Sequence, residues 1–194
     1  MTWQAAIAIA VPALVAIAGY AVAHRNNLRL AERNDRLDRV SRQLSNFYGP
    51  LLALSYASNA SWRVFRRRYR PGGGFWNDPP PTLEEAAIWR SWMTEVFTPL
   101  NRQMRDVVVT KADLLDEDHM PQPLLDLCAH VASYEPVLKR WEEGDYSEHI
   151  ALLHFPAEEL SEYVSERFEA LKAEQNALLG RHSRSQPTAP SSTI

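Results

Sequence analysis

From Trp3 to Ala23 the chain carries no charged residue and almost nothing polar. Read as a helix rising about 1.5 Å per residue, that stretch reaches about 31 Å, the depth of a bilayer's hydrocarbon layer. Trp3 and Tyr20 lie near its two ends, where amphipathic rings favour the interface. Pro12 falls mid-span, which a membrane helix tolerates with a kink. A cleaved signal peptide is the rival, and Ala21-Val22-Ala23 resembles a cleavage site. However, no Lys or Arg precedes the apolar run, and the run exceeds the usual apolar core of such peptides. The expectation is a retained transmembrane anchor over 3–23.

Arginines set the expected orientation. After the span come Arg25, Arg29, Arg33, Arg36, Arg39 and Arg42, with only the amino terminus before it. The excess of positive charge near the end of a span places that side in the cytoplasm and the N-terminus outside. Small residues Ala6, Ala10, Ala13 and Ala16 recur at spacings of three and four, a stripe that permits close helix–helix approach in lipid. Plain alanine richness explains the same pattern.

Behind the anchor, the sequence predicts an all-α arrangement: a juxtamembrane helix over 24–46, a helical domain over 47–180 and a disordered tail over 181–194. Leu30, Leu37, Leu44 and Leu51 recur every seven residues, a short heptad seam with Arg33 as a charged mismatch. It suits either self-association or packing on the chain's own core. Gly49-Pro50 marks a break or kink, with Pro50 able to open a helix that runs to about residue 69. Residues 71–81, rich in Gly and Pro, read as a loop displaying Phe75 and Trp76. Thr82 to Glu85 fits a capping box. The helix it opens passes Trp89 and Trp92, and Pro99 kinks or restarts it. A helix over about 122–134 follows, then a second, shorter one opened by Pro136 and ended by Gly144. The last helix starts at Pro156 and stops at Gly180.

The net charge of −3 is less informative than its layout. Residues 24–70 hold eleven Arg against Glu32, Asp35 and Asp38, whereas 111–170 hold fifteen acids against four bases. A basic segment beside an anionic lipid surface accounts for this, as does mutual attraction of the two halves in the fold. The densest basic cluster is Arg63, Arg66, Arg67, Arg68 and Arg70, with Tyr69, Phe75 and Trp76 nearby for stacking. It is the candidate phosphate- or ligand-binding site, weighed against internal salt bridges to the acidic half. Nucleic acid is the less favoured partner, and the small-molecule ligand is left open.

No motif for chemistry emerges. The glycines at 72–74 lack the spacing and the Lys-Ser/Thr of a phosphate-binding loop. Cys128 is the one cysteine, set in an apolar run, and reads as a core residue. His149 and His154 are five apart, poor geometry for a shared metal, and the acids around His119 read as a solvated face. No catalytic residue, cofactor or metal is therefore expected.

The stretches FYGPLLALSYASNASWRVF (47–65), VFTPLNRQM (96–104) and MPQPLLDLCAHVASYEPVLKRWEEGDYSEHIALLHFPAEEL (120–160) resemble a family of uncharacterised bacterial proteins. These share an N-terminal hydrophobic segment, a Tyr-Gly-Pro-Leu motif and a Pro-rich helical region. The resemblance covers 47–180 and implies a bacterial inner-membrane location, but transfers no activity. The expected function is non-enzymatic: a membrane-tethered interaction or regulatory module that docks a protein partner or a further copy of itself. The residues expected to carry self-association are Ala6, Ala10, Ala13, Leu30, Leu37 and Leu44. One alternative is an oligomeric membrane-perturbing effector of a bacterial antiviral system. Another is an enzyme of unrecognised type.

Overall fold

Prolines decide how this chain coils. The computed structural model describes residues 3–71, 76 and 79–180, with side chains described from residue 19 onward. Among these residues the structure is helical, with no strand. The elements are α1 (Trp3–Gln43), a π turn (Leu44–Tyr48), α2 (Gly49–Tyr69), α3 (Leu83–Trp92), a second π turn (Met93–Phe97), α4 (Thr98–Thr110), a short 3₁₀ turn (Ala112–Leu114), α5 (Gln122–Glu142) and α6 (Ala157–Leu178). The all-α expectation holds.

Two compact units make up the chain: residues 1–41 with 175–194, and residues 42–174. In the first, Arg33 of α1 donates from Nε to the Leu178 carbonyl at 2.7 Å, and its Nη2 reaches the same oxygen. A cation there meets the negative end of α6 and satisfies a carbonyl that the helix leaves unpaired. The charged mismatch in the heptad seam is thus a helix cap within the chain. Along that seam Leu44 is buried, Leu37 half-buried and Leu30 exposed. Among the described residues no helix is long and apolar enough to cross a membrane. The side chains of residues 3–18, where most of the anchor and the Ala6, Ala10 and Ala13 stripe fall, lie outside the described residues.

In the larger unit, helicity persists through Pro50 and Pro99, where the sequence suggested a break, a kink or a restart. Proline has no N–H, and its ring crowds the carbonyl four residues back. Each of these prolines lies two residues beyond the end of a π turn. The residue before it donates five residues back, Gly49 to the Leu44 carbonyl and Thr98 to that of Met93. The widened turn makes room for the ring without ending the helix. Pro136, by contrast, lies inside an uninterrupted α5, so the expected separate helix there is one helix of 21 residues. The expected caps are present. Thr82 and Glu85 form both bonds of a capping box, and Gly144, with φ of 81°, closes α5 in the left-handed conformation that glycine adopts freely.

α4 packs against both α2 and α5. The core holds Phe47, Tyr48, Leu51, Phe65, Met104, Leu124 and Leu127, all essentially inaccessible. Gly49 is needed at the first π turn because a Cβ there would sit 2.4 Å from the Leu44 carbonyl oxygen, a backbone atom with little freedom to yield. Changing Gly49→Ala should therefore lower unfolding free energy by about 1–3 kcal/mol, the usual range for overpacking. Chemical denaturation of the full-length chain measures it, and an unchanged or raised midpoint would refute this account of the turn.

Candidate functional site

The basic run at the end of α2 looks uniform in sequence, yet the helix deals its members to different environments. Phe65 points fully inward, and the 3.6-residue period turns Arg63, Val64, Arg67 and Arg68 outward. Arg66 is half-buried, its guanidinium 5.6 Å from the centre of the Trp62 ring. Arg70 folds back as a structural clamp. It grips both carboxylate oxygens of Glu85 at 3.0 and 2.9 Å and donates to the Pro79 carbonyl at 2.7 Å. The same Glu85 accepts the Thr82 N–H at 2.8 Å, so one carboxylate ties α2, the preceding loop and the start of α3 together. The Arg70 hydrogen bond, aided by that N–H, holds the Glu85 carboxyl below its ordinary pKa.

Of the five arginines, then, Arg63, Arg67 and Arg68 form the outward face. None of the three has an ion pair among the described residues. Phe75 lies outside the described residues. Trp76 is half-buried, stacked on His149 with centroids 5.2 Å apart and edge-on to Trp89 at 5.7 Å. The arginines and Trp76 therefore do not converge on one open stacking site.

Beneath the arginine face lies an aromatic cluster. Phe65 contacts the rings of Trp62, Trp89, Trp92 and Phe97 at 5.4–6.2 Å, and such pairs add directional attraction to their area burial. Three members then hold down the segment between α5 and α6. Trp141 Nε1 donates to the Glu148 carbonyl at 2.7 Å, while Trp89 Nε1 and the Tyr134 hydroxyl donate to that of His149 at 2.8 and 3.0 Å. A non-helical stretch is thereby fixed by its main chain, leaving Leu152 at its crest 95% exposed. Sequence reasoning missed these pins, because side-chain donors reaching distant carbonyls leave no local pattern.

Several charges elsewhere in this unit are engaged. Arg102 forms a fork with Glu135 at 2.9 and 2.5 Å, and Arg140 pairs with Glu148 at 2.9 Å. Arg167 lies 3.3 Å from Glu117 and 3.5 Å from Asp116. Glu117 also accepts from the Tyr163 hydroxyl, which meets that of Tyr48 at 3.3 Å, and burial is the main cause raising the Tyr163 pKa. These ion pairs form within the acidic half or between it and Arg102, not between it and the basic segment 24–70. Among the described residues no cluster of His, Cys, Asp or Glu could hold a metal ion. Cys128 is half-buried rather than a core residue, and its thiol pKa is raised by burial.

His130 is a buried histidine of the unit. Its Nδ1 donates to the Leu153 carbonyl at 2.7 Å, and its Nε2 faces the Asn101 amide nitrogen at 3.5 Å. Burial pushes its pKa below the ordinary histidine value, against the Leu153 bond, with nearby His154 adding a smaller push the same way.

No family model, curated protein or solved structure matches the chain.

A depressed pKa in the folded state means that the unfolded chain binds the proton more readily. Neutral His130 thus contributes its full stability above the unfolded value of about 6.5 and loses it as pH falls through the lower folded value. Half-buried His149 acts in the same direction. The full-length chain should melt at a lower temperature at pH 5 than at pH 7.5, and the difference should shrink in His130→Gln. An equal difference in both proteins would show that His130 carries none of it.

Proposed function

We propose that the chain is a membrane-tethered, non-enzymatic docking module, anchored through residues 3–23, with the 42–174 unit presenting the outer face of α2 to a protein partner in the cytoplasm. The observation that carries this reading is the sorting of charge on and around α2. Arg70, Arg102, Arg140 and Arg167 are all engaged by carboxylates, whereas Arg63, Arg67 and Arg68 stand together without one among the described residues. Beside them Val64 and Tyr56 are each 55% exposed, so the face combines apolar contact area with unspent positive charge. Arginine and tyrosine are favoured at protein interfaces for that pairing of properties. The anchor rests on the uncharged stretch 3–23, and the cytoplasmic side rests on the arginines that follow it. The location in a bacterial inner membrane rests on the family resemblance.

Two measurements test it. Deleting residues 1–23 should move the protein from the membrane pellet to the supernatant, and retention in the pellet would remove the anchor. A photoreactive amino acid placed at Val64 in the full-length chain should yield an adduct of discrete mass in intact cells. A second copy of the chain counts as the protein partner here. Charge reversal by Arg67→Glu with Arg68→Glu should deplete that adduct severalfold. The absence of any adduct at normal expression would overturn the docking face.

A further inference from the structure

We infer that the outer face of α2 takes a second copy of this chain, pairing with α6 of that copy in a reciprocal, two-fold interface. This rests on reading α2 as a docking face, and it names the occupant.

α6 carries the complement of the arginine face. Glu158, Glu162 and Glu166 are exposed at successive spacings of four residues, and none has an ion pair among the described residues. Arg63 and Arg67 repeat at the same spacing on α2. Residues four apart on a helix lie about 6 Å from each other along one face, so the two rows share a pitch.

Both rows belong to the same compact unit and sit side by side. α2 and α6 run antiparallel, as their cross-links show: the Tyr56 hydroxyl meets Ser165 Oγ at 3.2 Å, and the Asn59 amide donates to Ser161 Oγ at 2.8 Å. Between them lies an open groove of about 560 Å³, with Tyr56 and Asn59 on one wall and Glu158 and Glu162 on the other. The hydroxyl and amide groups of its floor already bond one another across the helices. What remains unspent is the carboxylates at its edge, the exposed Tyr56 and Val64, and the arginines one turn further along α2.

Adjacent patches of opposite sign on one rigid surface are self-complementary. A two-fold axis near Tyr56 would lay the arginine row of each copy on the glutamate row of the other, so every pairing is made twice. A uniformly anionic bilayer fits this surface poorly, because the exposed glutamates beside the arginines would be repelled by it. Exposed ion pairs are individually weak, so the interface depends on several acting together around the apolar centre.

The test uses the full-length chain in mild detergent, with its mass followed by sedimentation equilibrium over a dilution series. The wild-type chain should show a monomer–dimer equilibrium. R63E with R67E should weaken it at least tenfold, and E158R with E162R should do the same. Mixing the two variants should restore association, because a predominantly acidic face then meets a predominantly basic one. Circular dichroism and melting temperature check that each variant is folded. Should a reversed variant not fold, the neutral pair R63Q with R67Q takes its place and should also weaken dimerisation.

Unchanged association in folded variants, or failure of the mixture to reassociate, overturns the inference, as does a wild-type chain that stays monomeric. In the last case an adduct from Val64 to a different protein would leave the docking reading standing. No adduct at all would remove both.

Discussion

Proline cannot donate a main-chain hydrogen bond, and the larger unit of this protein is organised around two places where that deficit is absorbed without stopping a helix. At Gly49-Pro50 and at Thr98-Pro99 the preceding turn widens so that the donor before each proline reaches five residues back. The widened turns send Phe47, Tyr48 and Phe97 into the core, and the helices that follow them, α2 and α4, pack on each other. The phase of α2 is fixed from that point. Leu51, Ser55, Ser58 and Phe65 face inward, which leaves Tyr56, Arg63, Val64, Arg67 and Arg68 no direction but outward.

That phase explains why neighbouring arginines differ so much in role. Arg70 falls beyond the last turn of α2, where the chain turns back and Glu85 is within reach, so it becomes part of the scaffold. Arg66 is rotated onto the flank of Trp62. Only the members directed away from Phe65 keep their charge for something outside the unit. The aromatic cluster under them, and the main-chain bonds it makes to the segment after α5, give this face a firm base. A docking surface on such a base loses little conformational freedom when a partner arrives.

Much of the architecture is legible in the sequence because its signals are local. Thr82 and Glu85, Gly144, and the apolar period of α6 through Leu160, Val164 and Leu171 each act within a few residues. Proline misleads where its effect depends on the turn before it. Pro50 and Pro99 read as a break, kink or restart and stand near the starts of α2 and α4, which continue from π turns without interruption, and Pro136 reads as a helix start and lies inside α5. The site is less legible. The sequence singles out the arginine run but cannot separate Arg70 from Arg67, since that depends on Glu85 arriving from another helix. It gives no hint of His130 in its buried contact with Leu153, or of the Trp89 and Trp141 bonds, whose partners are distant carbonyls.

The two widened turns are the foundation of this account, and through-hydrogen-bond scalar couplings observe them directly. In the isotope-labelled full-length chain in detergent, the Gly49 amide nitrogen should couple to the Leu44 carbonyl carbon, and that of Thr98 to the Met93 carbonyl carbon. Couplings instead to Ser45 and Thr94, the partners of an ordinary α-helix, would contradict it, and the outward phase assigned to Arg63, Arg67 and Arg68 would fall with it.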